Sequence, residues 1–194
     1  MSPKDFYRNY VADDELKPIN FKLLEQILKF DPARVFEFGM GTGKNLNMFK
    51  DLLCNYAKSK IVTCGLDVSL VGVITAKIKH KLDFVIIGDE THLGNIQNFD
   101  CIFTCSVLDH IEDINGIIVE FKRIAQKAIV IAETNDIPGN YYYPHNYEEY
   151  GFEKFDYEWK SNGDGAVYNI WIFDKEKDKQ KRLSQEIMND DLAG

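Results

Sequence analysis

No stretch of this 194-residue chain approaches the ~20 consecutive apolar residues of a membrane-spanning helix. The opening Met1-Ser2-Pro3-Lys4-Asp5 lacks a basic region followed by an apolar run, so no signal peptide is expected. Cysteine is scarce: Cys54, Cys64, Cys101 and Cys105 stand in apolar surroundings with no C-x-x-C pair among them. They read as buried free thiols of a reducing compartment, and a cytoplasmic protein is expected. Cys101 and Cys105 fall on one face of a strand, yet too far apart to share a metal. Basic residues are outnumbered, 23 against 31 acidic, and the net charge of -8 counts against a polyanionic partner such as nucleic acid. No internal repeat is evident, and nothing in the sequence bears on oligomeric state.

What is present suffices for one domain with a full core: 45% of the residues are hydrophobic and 13% aromatic. The organising stretch is Arg34 to Gly43. Val35, Phe36 and Phe38 suit a buried strand, and Leu46, Phe49, Leu52 and Leu53 then recur at helical spacing. Gly39, Gly41 and Gly43 therefore sit on a tight strand-to-helix turn, where a ligand meets main chain without a Cβ in its way. A dinucleotide fingerprint needs a third glycine where this chain has Lys44, which disfavours a nicotinamide oxidoreductase. Here the third glycine comes one residue early, and Glu37 stands two before the first.

That E-x-G-x-G-x-G form resembles the first motif of the class I S-adenosylmethionine (AdoMet) dependent methyltransferases. AdoMet carries an ammonium and a sulfonium and no pyrophosphate, so a carboxylate beside the turn suits it. A second stretch, Asn98 to Asp113, resembles the fourth strand and following loop of the same family, with its F-D-x-hydrophobic…S-x-L-x-H-I-x-D form. The resemblance runs from about Ala33 to Ile131. It implies an AdoMet site on Glu37, Gly39, Gly41, Gly43 and Asn45, with Val68 and Ser106 nearby. Asp67, at the end of the strand Ile61–Leu66 that follows the glycine turn, is read as accepting both ribose hydroxyls in preference to capping the next helix, a role Ser69 fills equally. Asp89, after a third strand, corresponds to the family's adenine contact, although Gly-Asp is also a common turn. Absence of Asp-Pro-Pro-Tyr or Asn-Pro-Pro-Tyr after the fourth strand counts against methylation of exocyclic amines in nucleic acid bases.

Elsewhere the reading is structural. Phe21, Leu24, Ile27, Leu28 and Phe30 give a helix stopped by Asp31-Pro32, within an N-terminal cap segment spanning 1–33. Val71, Ile74 and Ile78 give an amphipathic helix. Ala128–Ala132 reads as a fifth buried strand. Pro138 to Tyr147 is turn-rich and aromatic, and the quick arrival at Gly151-Phe152 implies a trimmed version of the family's substrate-covering insertion. Phe155–Trp159 and Val167–Phe173 flank Ser161-Asn162-Gly163-Asp164-Gly165 as a hairpin. The fold expected is a three-layer α/β Rossmann-like domain over 1–174. Its seven-stranded sheet is mostly parallel, with an antiparallel closing hairpin. Residues 175–194, mixed in charge without apolar periodicity, are expected to be a flexible tail.

Methyl transfer needs a nucleophile in line with the S–CH3 bond, so positioning supplies much of the effect, with a general base for a hydroxyl or protonated amine. The candidate bases are His110 and His145, against a packing role for each. Substrate contacts are expected from Tyr141, Tyr142, Tyr143 and Tyr147, with Tyr7 and Tyr10 closing from the N-terminus; packing over the sheet edge is the bland alternative. Catechol-type relatives hold magnesium near the places of Asp109 and Asn135-Asp136, but the L-x-H-I-x-D pattern belongs to metal-free ones, and no metal is expected. The expected activity is methylation of a small molecule, a metabolite or sugar derivative. The alternatives are a protein acceptor or AdoMet binding without turnover.

Overall fold

Consecutive apolar residues along each central strand point to alternate faces, so each strand feeds two cores, one on either face of the sheet. The computed structural model describes residues 7–8, 14–56, 61–134, 142–162 and 165–193. Helix α1 (Pro18–Leu28) precedes β1 (Arg34–Phe38), α2 (Lys44–Tyr56), β2 (Val62–Asp67), α3 (Leu70–Ile78) and β3 (Phe84–Ile87). Then follow β4 (Phe99–Cys105), α4 (Asn115–Ile124), β5 (Ala125–Thr134), β6 (Glu153–Lys160), β7 (Val167–Asp174) and α5 (Lys175–Ala193). The sheet order is β3-β2-β1-β4-β5-β7-β6, parallel except for β7, which runs antiparallel to both β5 and β6. Val35, Phe103, Val130 and Ile170 pack beneath α1, α2 and α3. Phe36, Ile102, Ile129 and Trp171 pack beneath α4 on the other face. After β3 the chain crosses back to β4 on the far side of β1, and the carboxyl ends of β1 and β4 flank the resulting crevice.

Three elements differ from the sequence reading. In α1, Leu23 joins Leu24 and Ile27 in the core while Phe21 faces outward. In α3 the inward residues are Gly72, Val73 and Ala76, and Val71, Ile74 and Ile78 are exposed. The reason is proximity: a Cβ on Gly72 would stand 2.7 Å from the Gly41 carbonyl oxygen, so only the small face of α3 approaches the glycine turn. The charged stretch after Asp174, expected to be a flexible tail, is the helix α5. The Asp174 carboxylate accepts from the Glu176 and Lys177 amides, and Lys175 Nζ donates to the Lys122 and Ala125 carbonyls. Mixed charge suits a solvated helix as well as a solvated coil, and an i,i+4 pair, Arg182 to Asp178 at 2.9 Å, lies along it.

Candidate active site

The three glycines of the turn adopt left-handed conformations, with φ of 72° at Gly39, 54° at Gly41 and 81° at Gly43. The Gly39 and Met40 amides donate to the Leu66 carbonyl at the end of β2. Asp67 completes the junction: its Oδ2 accepts from the Gly41 amide and its Oδ1 from the Ser69 amide, each at 2.7 Å. Ser69, not Asp67, caps α3, accepting from the Gly72 amide. Burial pushes the Asp67 carboxyl upward, against those two donors. Gly43 lies on the far side of the turn, where a Cβ would meet Leu82 at 2.6 Å; it shapes the turn and does not face the crevice. Gly65 and Gly72 were not anticipated, yet the turn rests on both: a Cβ at Gly65 would lie 2.2 Å from the Met40 sulfur.

Behind the turn, Asn45 Nδ2 donates to Glu37 Oε1 at 2.7 Å. Both side chains are buried, and Glu37 Oε2 and Asn45 Oδ1 have no hydrogen-bond partner among the described residues. Burial, then the charge of Asp67, pushes the Glu37 carboxyl well above the usual range. Two orphaned acceptors on a crevice wall fit a cationic ligand group. From outside, Thr42 Oγ1 donates to Asp14, and Lys44 Nζ to the Glu15 carbonyl. Asp89 caps the turn Glu90–Asn95 through the Thr91 amide while lining the crevice with Val68.

Across the crevice, β4 ends in a loop held by a buried acid. Glu133, fully buried on β5, accepts from the Val107 and Leu108 amides at 2.9–3.2 Å. The Asp109 carboxyl lies against it, and burial pushes both upward, Glu133 further by the charge of Asp109. Ser106, itself at φ 57°, donates its hydroxyl to Tyr168. His110 reaches the crevice between the rings of Tyr7 and Tyr142, at 4.7 and 4.8 Å, with its Nε2 3.5 Å from Asp109 Oδ1.

Two expected contacts fall elsewhere. His145 does not line the crevice; its Nε2 lies 3.0 and 2.9 Å from the Leu108 and Ile111 carbonyls, fastening the His110 loop from behind. Tyr147 is fully buried against Trp171 and Phe152, because the tight turn Tyr147–Tyr150 directs it into the core. Tyr10, Tyr141 and the Asn135-Asp136 pair lie outside the described residues. Among those described, no group of three His, Cys, Asp or Glu side chains is arranged to hold a metal.

The crevice opens into a volume of about 720 Å³, within the range of small-molecule sites. On the side away from the glycine turn, Tyr7, Tyr142 and Tyr143 are joined by Asn20, Cys105, Trp159 and Tyr168, none of these four anticipated. Trp159 and Tyr168 are cross-strand partners 5.3 Å apart, and only the hairpin register reveals that they share a face. Asn20 left a visible signal, a polar side chain on the buried face of an apolar helix.

Residues 36–131 match the family model described as a methyltransferase domain. These residues form a methyltransferase domain, and the chain has the class I AdoMet-dependent methyltransferase fold. Its fold is that of magnesium protoporphyrin IX methyltransferase from Synechocystis PCC 6803, solved with AdoMet bound: TM-score 0.62, 14% identity, 89% of this chain and 96% of that one covered. TehB from Haemophilus influenzae gives TM-score 0.62 at 16% identity over 80% of this chain and 62% of that one. The plantazolicin methyltransferase BamL, solved with a triazolic desmethylPZN analogue and S-adenosylhomocysteine, gives 0.59 at 14% identity, covering 80% and 84%. Among curated proteins none matches this sequence. The methyltransferase's own residues fit AdoMet: the orphaned Glu37 and Asn45 oxygens answer its cationic end, and Lys44 stands where a dinucleotide site needs glycine.

Proposed function

We propose that this methyltransferase transfers a methyl group to a small molecule held in the aromatic chamber between His110 and the closing hairpin. The observation that carries this reading is continuity: one crevice reaches from Glu37 and the glycine turn to Trp159 and Tyr168. Bound at the turn, AdoMet supplies an electrophilic methyl group. Glu37 and Asn45 take its ammonium end, Asp67 its ribose and Asp89 its adenine. Trp159, Tyr7 and Tyr142 exclude water and wall the sulfonium with ring faces.

The chamber's polar groups are mainly donors. Burial raises the Tyr168 phenol, which stays protonated; Ser106 donates to its oxygen, leaving the phenolic proton for another partner. Asn20 Nδ2 has only a 3.7 Å contact to the Cys105 sulfur. An acceptor molecule with a planar body and an oxygen-bearing substituent suits this lining. His110 serves as general base, and Asp109 steadies the imidazolium that forms. The buried Cys64 and Cys101 thiols, raised by burial to about 11 and about 12, are unreactive and suit a reducing cytoplasm. No helix among the described residues is long and apolar enough to cross a membrane.

A screen of metabolite pools with labelled AdoMet tests the reading, with a low-mass methylated product expected. Labelling confined to macromolecules would point to a protein acceptor, and AdoMet binding with no label transferred would point to a binding protein. With the acceptor known, His110→Ala should lower kcat by about 100-fold with AdoMet affinity within about twofold. Full activity in that variant would leave positioning alone as the source of catalysis.

A further inference from the structure

The two edges of the sheet are built differently. β6, at one edge, carries Glu153, Lys154, Asp156, Glu158 and Lys160 and has a register irregularity after Phe155, features that discourage further strand pairing. β3, at the other, reads Phe84-Val85-Ile86-Ile87, without a charge and in unbroken register with β2. No strand among the described residues pairs with its outer side. The helix beside it is equally unusual. Leu70, Ile74 and Ile78 form an i, i+4, i+8 stripe on the outer face of α3, with Val71 alongside. Of eleven large apolar side chains exposed among the described residues, six lie within this α3–β3 unit, at 45% to 72% exposure.

Strand alternation puts Phe84 on the opposite face with Ile86, while Ile87 shares the α3 face with Val85. The five side chains on that face, about half exposed, present on the order of 500 Å² of apolar surface, near the upper limit for the largest patch on a typical monomer. A stable protein–protein contact takes about 800 Å² per partner, so this patch with its polar rim is the right size for one. The rim identifies the partner. Lys77, Lys79 and Lys81 cluster at the amino-terminal end of β3 beside Asp83, whereas Asp89 and Glu90 follow its carboxyl end. Lys79 is engaged with Asp14, and Lys77 Nζ with the Leu82 and Asp83 carbonyls, while Lys81 is exposed. A twofold axis across β3 brings the basic end of one copy against the acidic end of the other and sets the two edges antiparallel.

We propose that the α3–β3 edge is the contact surface of a homodimer in which the two sheets join through antiparallel β3 strands. Sedimentation velocity on the full chain should show a dimer dissociating at roughly 1 µM or below. The double variant Ile74→Glu, Ile78→Glu should weaken it by at least about 100-fold, since two carboxylates would be buried unpaired. The other exposed apolar stripe, on α5, supplies the control: Leu183→Glu should leave the dimer unchanged. Lys81→Glu should weaken association by about tenfold, and adding Glu90→Lys should restore it, because the pair is exchanged across the axis. These charge variants carry the test if the α3 double variant fails to fold. A monomer at about 100 µM would overturn the proposal. So would a dimer broken by Leu183→Glu but not at α3, or a Lys81→Glu loss that Glu90→Lys does not repair.

Discussion

Replacing Gly39 by alanine is expected to cost about 3 kcal/mol of stability and to weaken AdoMet binding by more than about 100-fold. Two independent effects add. An L-residue at φ 72° pays the left-handed backbone penalty of about 1–2 kcal/mol. The new Cβ would also lie 2.3 and 2.7 Å from the two γ-carbons of Val107, in a loop that Glu133 prevents from retreating. The turn must therefore move, and with it the Gly41 amide that Asp67 holds. Calorimetric AdoMet titration beside urea denaturation reads both effects. Adding Val107→Ala should recover the steric share but not the backbone share. If Gly39→Ala loses less than about 0.5 kcal/mol and keeps its affinity, the packing of the turn against the β4 loop is not what fixes its shape.

At Glu133 two substitutions should behave oppositely. Glu133→Ala removes the acceptor of the Val107 and Leu108 amides and leaves a hole in the core. At about 1–3 kcal/mol for each orphaned donor, a loss of about 4 kcal/mol is expected, a large part of a domain's total stability. Glu133→Gln keeps one oxygen for those amides and turns a donor toward Asp109, so it should be tolerated. It should also change the pH dependence. Burial raises the folded-state carboxyl above its unfolded value near 4.5, so the folded chain holds a proton that the unfolded chain releases. Stability is then fullest below about pH 4.5 and declines as pH rises through the raised value, by up to about 1.4 kcal/mol per unit for one group. Glu37 and Asp109 act with the same sign. Urea midpoints between about pH 5 and 9 should fall less steeply in the Gln variant. An unchanged slope would mean that Glu133 is not the group holding the proton.

Features written locally were legible in the sequence. The E-x-G-x-G-x-G turn and the Asn98–Asp113 stretch each combine strand, turn and chemistry within one short segment, and Glu37, Asn45, Asp67, Ser106 and His110 all line the crevice. What depended on a partner element was not. Val71, Ile74 and Ile78 have the periodicity of a core face, but the close approach of Gly72 to Gly41 turns the opposite face inward. Tyr147 and His145 belong to an aromatic run, yet a tight turn sends the tyrosine into the core, and contacts to the Leu108 and Ile111 carbonyls hold the histidine behind the loop. Trp159 and Tyr168 become neighbours only through the hairpin register. Glu133, one residue past the strand read at Ala128–Ala132, shows its role only when the β4 loop is laid against it.

The closing hairpin has a consequence for how such a protein can change. The groups proposed for the ammonium, ribose and adenine of AdoMet lie between Glu37 and Asp89, on β1, β2, β3 and the connections that follow them, whereas Trp159 and Tyr168 come from a ribbon attached to the rest of the sheet through β7 alone. That ribbon forms part of the wall opposite the turn, beside Tyr142 and Tyr143. On the proposed function, substitutions at Tyr168 would change the wall of the chamber without touching the turn that holds Glu37, Asp67 and Asn45. The two ends of the crevice are in this sense separately open to change.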